Sequence, residues 1–336
     1  MLTFQGARDY VGPMTPCDLI DSYDPAKGIR VAKYFYYYIP SLLIGARRFR
    51  PQVIIQATAG VDTAIMAFIA KRLGVLFVHR IASDGDVDER SGLLLKPYER
   101  LAYAYGLRNA DAVICQNDFQ FQVLRRRFPN KPLFKIHNPF SLLTAGASDT
   151  PRSGRRYVAW IGALREPKNL PLLYDIARSL PDISFRIAGK TGIKTDSETA
   201  AALNNLRGLR NVEFCGYLTR KQIAPFLSQA VLLLCTSDYE GFSNTFLESF
   251  SLGTPVVTRE IVNPDQIISK NSLGMVAVSS EDLDSKVRQL WDLSESEFGA
   301  ISGRCQTYLK ENHSPESMVQ KLLTALAPMV GGKAAI

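Results

Sequence analysis

The chain has 336 residues, 46% hydrophobic and 21% charged, with a formal net charge of +8. That length suffices for two domains of ordinary size, and the balance excludes a disordered, fibrous or collagen-like protein. Five cysteines (Cys17, Cys115, Cys215, Cys235 and Cys305) are scattered without a Cys-x-x-Cys pair or an adjacent histidine. They read as buried, reduced thiols in a reducing compartment, and no metal site is expected.

In chain order, Met1–Gly6 lacks the basic start and apolar run of a secretory signal. The apolar patch Tyr34–Ala46 contains Pro40 and is too short to span a membrane. Its aromatics, followed by Arg47 and Arg48, suit either a membrane-surface face or a buried core helix. Gln52–Gln56 predicts a strand, Val61–Leu73 a helix closed by Gly74, and Val75–His79 the next strand. A helix over Lys96–Leu107, a strand at Ala112–Cys115 and a helix running to Phe128 follow. The stretch 145–156, rich in Gly, Ser, Thr and Pro, is the candidate linker between a first domain (1–144) and a second (157–330). Tyr157–Ile161 opens a second alternating series that runs to about Val278. Alternation of strands and helices implies α/β architecture with parallel sheets, and such sheets bind ligands at the carboxyl ends of their strands.

The charge is uneven. Residues 1–150 carry 19 basic against 13 acidic side chains, and residues 151–336 carry 21 against 19. Basic clusters at Arg47–Arg50 and Arg125–Arg127 fit anionic headgroups, phosphorylated acceptors or plain solvated helix faces. No interleaved aromatic and basic module supports nucleic acid as a partner.

The densest chemistry lies in Thr236–Glu248. An apolar run, Val231–Cys235, leads into a turn at Gly241, and a helix follows with Phe246, Leu247 and Phe250 on one side. Glu240 on the loop and Glu248 in the first turns of the helix bracket a helix N-terminus at Ser243, Asn244 and Thr245, where backbone N–H groups can meet an anion. Such a pair suits a ligand with hydroxyls at both ends and phosphate between. Lys168, in a loop between strand and helix, can neutralise a diphosphate.

Four segments in order resemble the retaining group-1 (family 4) glycosyltransferases of the GT-B fold. They are Glu240-Gly241-Phe242 with Glu248 after seven intervening residues, Trp160–Asn169, Phe185–Gly189 and Asn211–Leu218. The resemblance covers roughly residues 155–328 well and 50–140 less closely. It implies two Rossmann-like domains facing a cleft, with the first abbreviated because no Gly-rich loop stands in residues 1–30. It implies a UDP-sugar or GDP-sugar donor, no further cofactor, and a carbohydrate or lipid-linked acceptor. Polysaccharide or glycolipid assembly follows as an expectation, in the cytoplasm with peripheral contact to the inner face of a membrane.

The resemblance puts Glu248 on the ribose, Glu240 with Gly241, Phe242 and Ser243 on the sugar, and Lys168 on the diphosphate. Where the family places an arginine after the glycine this chain has Ala163, so Arg165 is taken as the second cation. Gly162 would let backbone approach phosphate, and Gly216 and Tyr217 would flank the base. On the acceptor side Asp84 is the candidate, with Asp86 beside it, and His79 reads as a structural histidine. The abbreviated first domain leaves a second reading open, a non-catalytic sugar-nucleotide-binding or scaffold protein.

Overall fold

The structure, a computed structural model, describes residues 2–4, 20–24, 34–88, 95–140, 150–190 and 196–333. Strands β1 (Leu2–Phe4) and β2 (Ile20–Tyr23) pair in parallel beside helix α1 (Ile39–Phe49). This helix buries Tyr38, Leu42 and Ala46 against Ile65 and Ile69. Ile44 on this helix and Phe35 and Tyr36 on the helical turn before it (Tyr34–Tyr38) face outward, so the Tyr34–Ala46 run is core on one side and exposed on the other.

The first sheet holds β3 (Val53–Ala57), β4 (Leu76–Arg80), β5 (Ala112–Cys115) and β6 (Leu133–Lys135), all parallel and in that order. Helices α2 (Val61–Leu73), α3 (Pro97–Asn109) and α4 (Asp118–Arg127) make the crossovers. Side chains alternate between two cores: Phe77, Val113 and Cys115 face one, Val78, Ala112 and Ile114 the other. Burial on both faces is why β5 reads as an unbroken apolar run.

The second sheet is built from β7 (Tyr157–Ile161), α5 (Leu170–Ser179), β8 (Phe185–Ala188), α6 (Ser197–Arg207), β9 (Val212–Gly216), α7 (Arg220–Ser228), β10 (Ala230–Leu234), α8 (Asn244–Ser251), β11 (Val256–Arg259), α9 (Ile267–Lys270) and β12 (Gly274–Ala277). Its order is β12-β11-β10-β7-β8-β9 with every pair parallel. The winding direction reverses between β7 and β10, and the loops leaving their carboxyl ends therefore diverge and open a crevice. Those two loops carry Lys168 and Glu240.

Three helices end the described chain: α10 (Leu283–Trp291), α11 (Glu295–His313) and α12 (Pro315–Lys333). The last returns to the first sheet, where Leu326 is buried with Val78, Ala112, Ile114 and Ile136. Arg155, in the stretch expected to be linker, is 3% exposed. Its guanidinium donates to the carbonyls of Thr150, Ala230 and Leu252 and to Thr254 Oγ1, and lies over the Phe298 ring. Burial lowers its pKa to about 10, and the carbonyl dipoles take the place of a counter-ion. Residues 145–149 of that stretch lie outside the described ones.

Helices α2 and α3 approach closely at Gly106, where an added Cβ would sit 2.5 Å from the carbonyl carbon of Thr63. In α11, Gly303 has nothing within 4 Å of the same position. Alanine favours a helix by about 1 kcal/mol over glycine. We therefore expect Gly303→Ala to raise stability by about that amount and Gly106→Ala to lower it by about 1–2 kcal/mol through the enforced shift. Urea unfolding followed by circular dichroism distinguishes the two.

Candidate active site

The second domain supplies one wall. After β7 a single 3-10 turn at Glu166–Lys168 leads to α5, capped by Asn169, whose side-chain oxygen accepts from the Leu172 amide. The Lys168 carbonyl accepts from Thr236 Oγ1 (2.7 Å), which in turn accepts from Trp160 Nε1 (3.0 Å). The Asp238 amide donates to the Pro167 carbonyl at 2.9 Å. Arg259 Nη2 donates to Asp238 Oδ1 and to the carbonyls of Thr236 and Ser237. The two crevice loops are thus laced together before any ligand arrives.

On that frame Lys168 Nζ makes an ion pair with Glu240 Oε1, which also accepts from Ser237 Oγ at 2.8 Å. Both side chains are less than a fifth exposed. Arg165 is placed differently, exposed at the start of the 3-10 turn, and neither it nor Lys168 lines the cavity described below. Gly162 lies against the Lys168 stem and the Trp160 ring, where a Cβ would meet both at 3.0–3.5 Å. The Gly189 amide donates to the Gly216 carbonyl at 2.8 Å, so the strand ends of β7, β8 and β9 form a shelf of bare backbone. Gly216 has φ of +69°, a conformation that favours glycine. Tyr217 beyond it is 66% exposed, with Lys190 Nζ 5.3 Å from its ring centre.

Helix α8 begins at Asn244, and its first turn has no side-chain cap from Ser243, whose hydroxyl pairs with Thr245 Oγ1 instead. Glu248 is half-buried, and among the described residues no hydrogen bond to its carboxylate is present. Burial pushes its pKa up to about 7, with Arg220 opposing. A carboxylate so placed lacks the hydrogen-bond donors that would hold it charged.

The first domain supplies the facing wall. Asp84 opens a 3-10 turn after β4, and its Oδ1 accepts from Asn117 Nδ2 and Gln120 Nε2, both at 2.8 Å. Asp86 caps the same turn through the amides of Ala82 and Ser83. His79 is fully buried, with Nδ1 against Gln56 Oε1, as expected of a structural histidine. A cavity of 190 Å³ joins the walls and is lined by Asp84, Asn117 and Phe119 on one side and Glu240, Gly241 and Ile261–Asp265 on the other.

Phe242 is buried at the domain contact rather than open to the cleft. Its ring lies 4.9 Å from His313 and 5.7 Å from His137, and its amide donates to Gln116 Oε1 at 3.2 Å. Asn138 donates to the Phe242 carbonyl and to Asn244 Oδ1. Asp265 accepts from the Asp118 amide (2.6 Å) and from Lys135 (3.3 Å), closing the far rim. Sequence reasoning assigned no role to Gln116 or Asn138, and it missed Asn263–Asp265. An Asn-Pro-Asp turn after a strand was the available signal there. Nothing in the sequence marks the positive φ of 52° at Asp265.

The family model described as "Glycosyl transferases group 1" matches residues 147–299. Alpha-D-kanosaminyltransferase of Streptomyces kanamyceticus is 24% identical over 230 residues, 62% of this chain and 58% of the relative. The matched stretches span between a third and three fifths of the curated relatives' lengths. Among solved structures, Anabaena HepE in complex with UDP and glucose superposes with a TM-score of 0.74 at 13% identity, over 92% of this chain and 86% of that one. Sucrose-phosphate synthase of Thermosynechococcus elongatus gives 0.74 at 15% identity, over 95% and 85%. At these identities the likeness concerns the fold, and the chain has the GT-B fold.

Glu248 generates a pH dependence. Between about pH 4.5 and 7 the native state holds a proton that the unfolded chain has released, so this group lowers stability as pH rises through that window. Glu248→Gln is expected to stabilise the ligand-free protein at pH 8 by on the order of 2 kcal/mol, with the gain vanishing towards pH 4. Thermal unfolding of both proteins across that range measures it.

Proposed function

We propose that this chain is a glycosyltransferase that moves a sugar, with retention of configuration, from a nucleoside diphosphate sugar to an acceptor hydroxyl. The observation that carries the reading is the part-buried Lys168–Glu240 pair at the switch point of the second sheet, with Glu240 facing Asp84 across one cavity. An ammonium held there with a single carboxylate partner can be shared with a diphosphate, and its charge is then felt in a site of low dielectric. The group 1 match over residues 147–299 supports the same reading of this wall.

In this reading Glu248 accepts from the ribose hydroxyls, which supply the donors its carboxylate lacks. The glycine shelf and the open first turn of α8 take the diphosphate, Tyr217 covers the base, and Glu240 turns to the sugar as Lys168 turns to phosphate. Ala163 stands where the family has an arginine, and Arg165 reaches the diphosphate only by swinging inward from its exposed position. UDP, the nucleotide in the HepE complex, is the first donor base to test and GDP the second.

Retention follows if the acceptor attacks from the face that the phosphate leaves, so that the departing phosphate oxygen takes the acceptor proton. The main catalytic contribution is then electrostatic support of that phosphate by Lys168. Asp84, held by two amides, orients the acceptor hydroxyl. We place the acceptor in polysaccharide or glycolipid assembly at the cytoplasmic face of a membrane, on the strength of the basic first half. Among the described residues no helix is long and apolar enough to cross a membrane.

Calorimetric titration with UDP, GDP and their sugar conjugates is the test, beside Glu248→Ala. One nucleotide should bind, and Glu248→Ala should remove that binding. With the donor so identified, Lys168→Ala should cut donor hydrolysis or transfer by about two to three orders of magnitude. Unchanged turnover in that variant would sink the assignment of Lys168, and binding without any turnover would favour the non-catalytic reading.

A further inference from the structure

A second cavity lies on the first domain, on the other side of the turn that carries Asp84. It has a volume of 430 Å³ and is lined by Asp86, Pro97, Arg100, Leu101, Tyr103, Ala104 and Arg127. Arg100 comes from α3 and Arg127 from the last turn of α4, so two helices bring two guanidinium groups to one hollow. Among the described residues no carboxylate pairs with either arginine. Arg127 rests instead over the Phe128 ring, 5.3 Å from its centre.

Tyr103 is 4% exposed, and its hydroxyl is buried with no hydrogen-bond partner among the described residues. A buried, unmatched O–H is costly and uncommon, and here it belongs to a side chain that lines the same cavity as the two arginines. Asp86 offsets one of the two positive charges, and its Oδ2 is turned to the amides of Ala82 and Ser83, which leaves the cavity a net positive charge from the two guanidinium groups. Two forked donors and one hydroxyl donor match the oxygens of a phosphate group, which guanidinium planes bind in pairs. Pro97, Leu101 and Ala104 give the same hollow an apolar side, and Leu101 is 74% exposed at its rim.

We propose that Arg100, Arg127 and Tyr103 form a phosphate-binding site for the acceptor. The proposal rests on the reading of the Asp84 face as the acceptor side. Asp84 faces the cleft and Asp86 faces this cavity, and two residues of chain span at most about 7 Å. An acceptor lying across the turn would present its hydroxyl at Asp84 and its phosphate to the arginines. That phosphate belongs either to a soluble phosphate ester or to a lipid headgroup.

The test uses the full chain and two probes: glycerol 3-phosphate by calorimetry, and phosphatidylcholine vesicles with and without phosphatidic acid by co-sedimentation. Binding to glycerol 3-phosphate identifies a soluble ester, and binding to the phosphatidic acid vesicles alone identifies a headgroup. In either case Arg100→Gln/Arg127→Gln should weaken binding by at least about tenfold, and Tyr103→Phe by several-fold. The control Arg108→Gln/Arg126→Gln removes the same charge from the same two helices outside the cavity and should bind as the parent does. No binding to either probe, unchanged binding in either cavity variant, or an equal loss in the control would overturn the site. UDP titration of each variant reports separately on the donor wall. Loss of the phosphate site with UDP binding intact therefore leaves the proposed function standing, and absence of UDP binding does not affect the phosphate result.

Discussion

Gly241 lies flat against the backbone of the first domain, and the site depends on that contact. A Cβ there would come within 2.9 Å of the Ala82 carbonyl oxygen and 3.1 Å of the Ser83 Cα. The loop that carries Glu240 is therefore pinned between two sheets. Gln116 and Asn138 complete the pinning by taking the amide and carbonyl of Phe242, so that buried polar groups from one domain are satisfied by the other. Neither domain contains the cleft on its own. Asp84 faces Glu240 only because the backbones meet at a residue with no side chain.

Within that frame the charged groups are arranged for something other than stability. Glu248 sits in surroundings that favour its neutral form, and Lys168 and Glu240 share a largely buried site with each other. Buried charges of this kind cost desolvation that their mutual attraction repays only in part. Arg155 shows the contrast: a more deeply buried cation is surrounded by carbonyl oxygens and an aromatic face, and is committed to holding β7, β10 and the Thr254 turn together. Glu248 thus keeps unmet hydrogen-bonding capacity, while the Arg155 guanidinium has its own met.

What could be read from the sequence follows the same division. Tyr157–Ile161 and Ala112–Cys115 were legible to the residue because strands buried on both faces leave unbroken apolar runs. The strands at Val53–Ala57 and Leu76–Arg80 each begin one residue later than the apolar pattern suggested. Strand β6 was invisible, since three residues between Pro132 and Ile136 carry no period. Helices α10 to α12 lie past the last apolar strand, and their mixed faces resemble a polar tail. Arg155 was hidden by the Gly, Ser and Pro around it, which signal a linker whatever the tertiary role of one residue. In the site, Glu240, Glu248 and Lys168 were legible because local spacing places them. Asn117, Asn138 and Asp265 were not, because their roles exist only once two distant segments meet.

The return of α12 to the first sheet means that the chain passes between the domains twice. The outgoing and returning passes are fastened to each other: the Phe140 amide donates to the His313 carbonyl at 2.8 Å, and the His313 ring nitrogen Nδ1 lies 2.8 Å from the Asn138 carbonyl. Burial brings His313 down to about 4, so it stays neutral near physiological pH and the fastening does not titrate there. Any swing of one domain against the other would have to part Gly241 from Ala82 and break the bonds that Gln116 and Asn138 make to Phe242, while leaving this fastening in place.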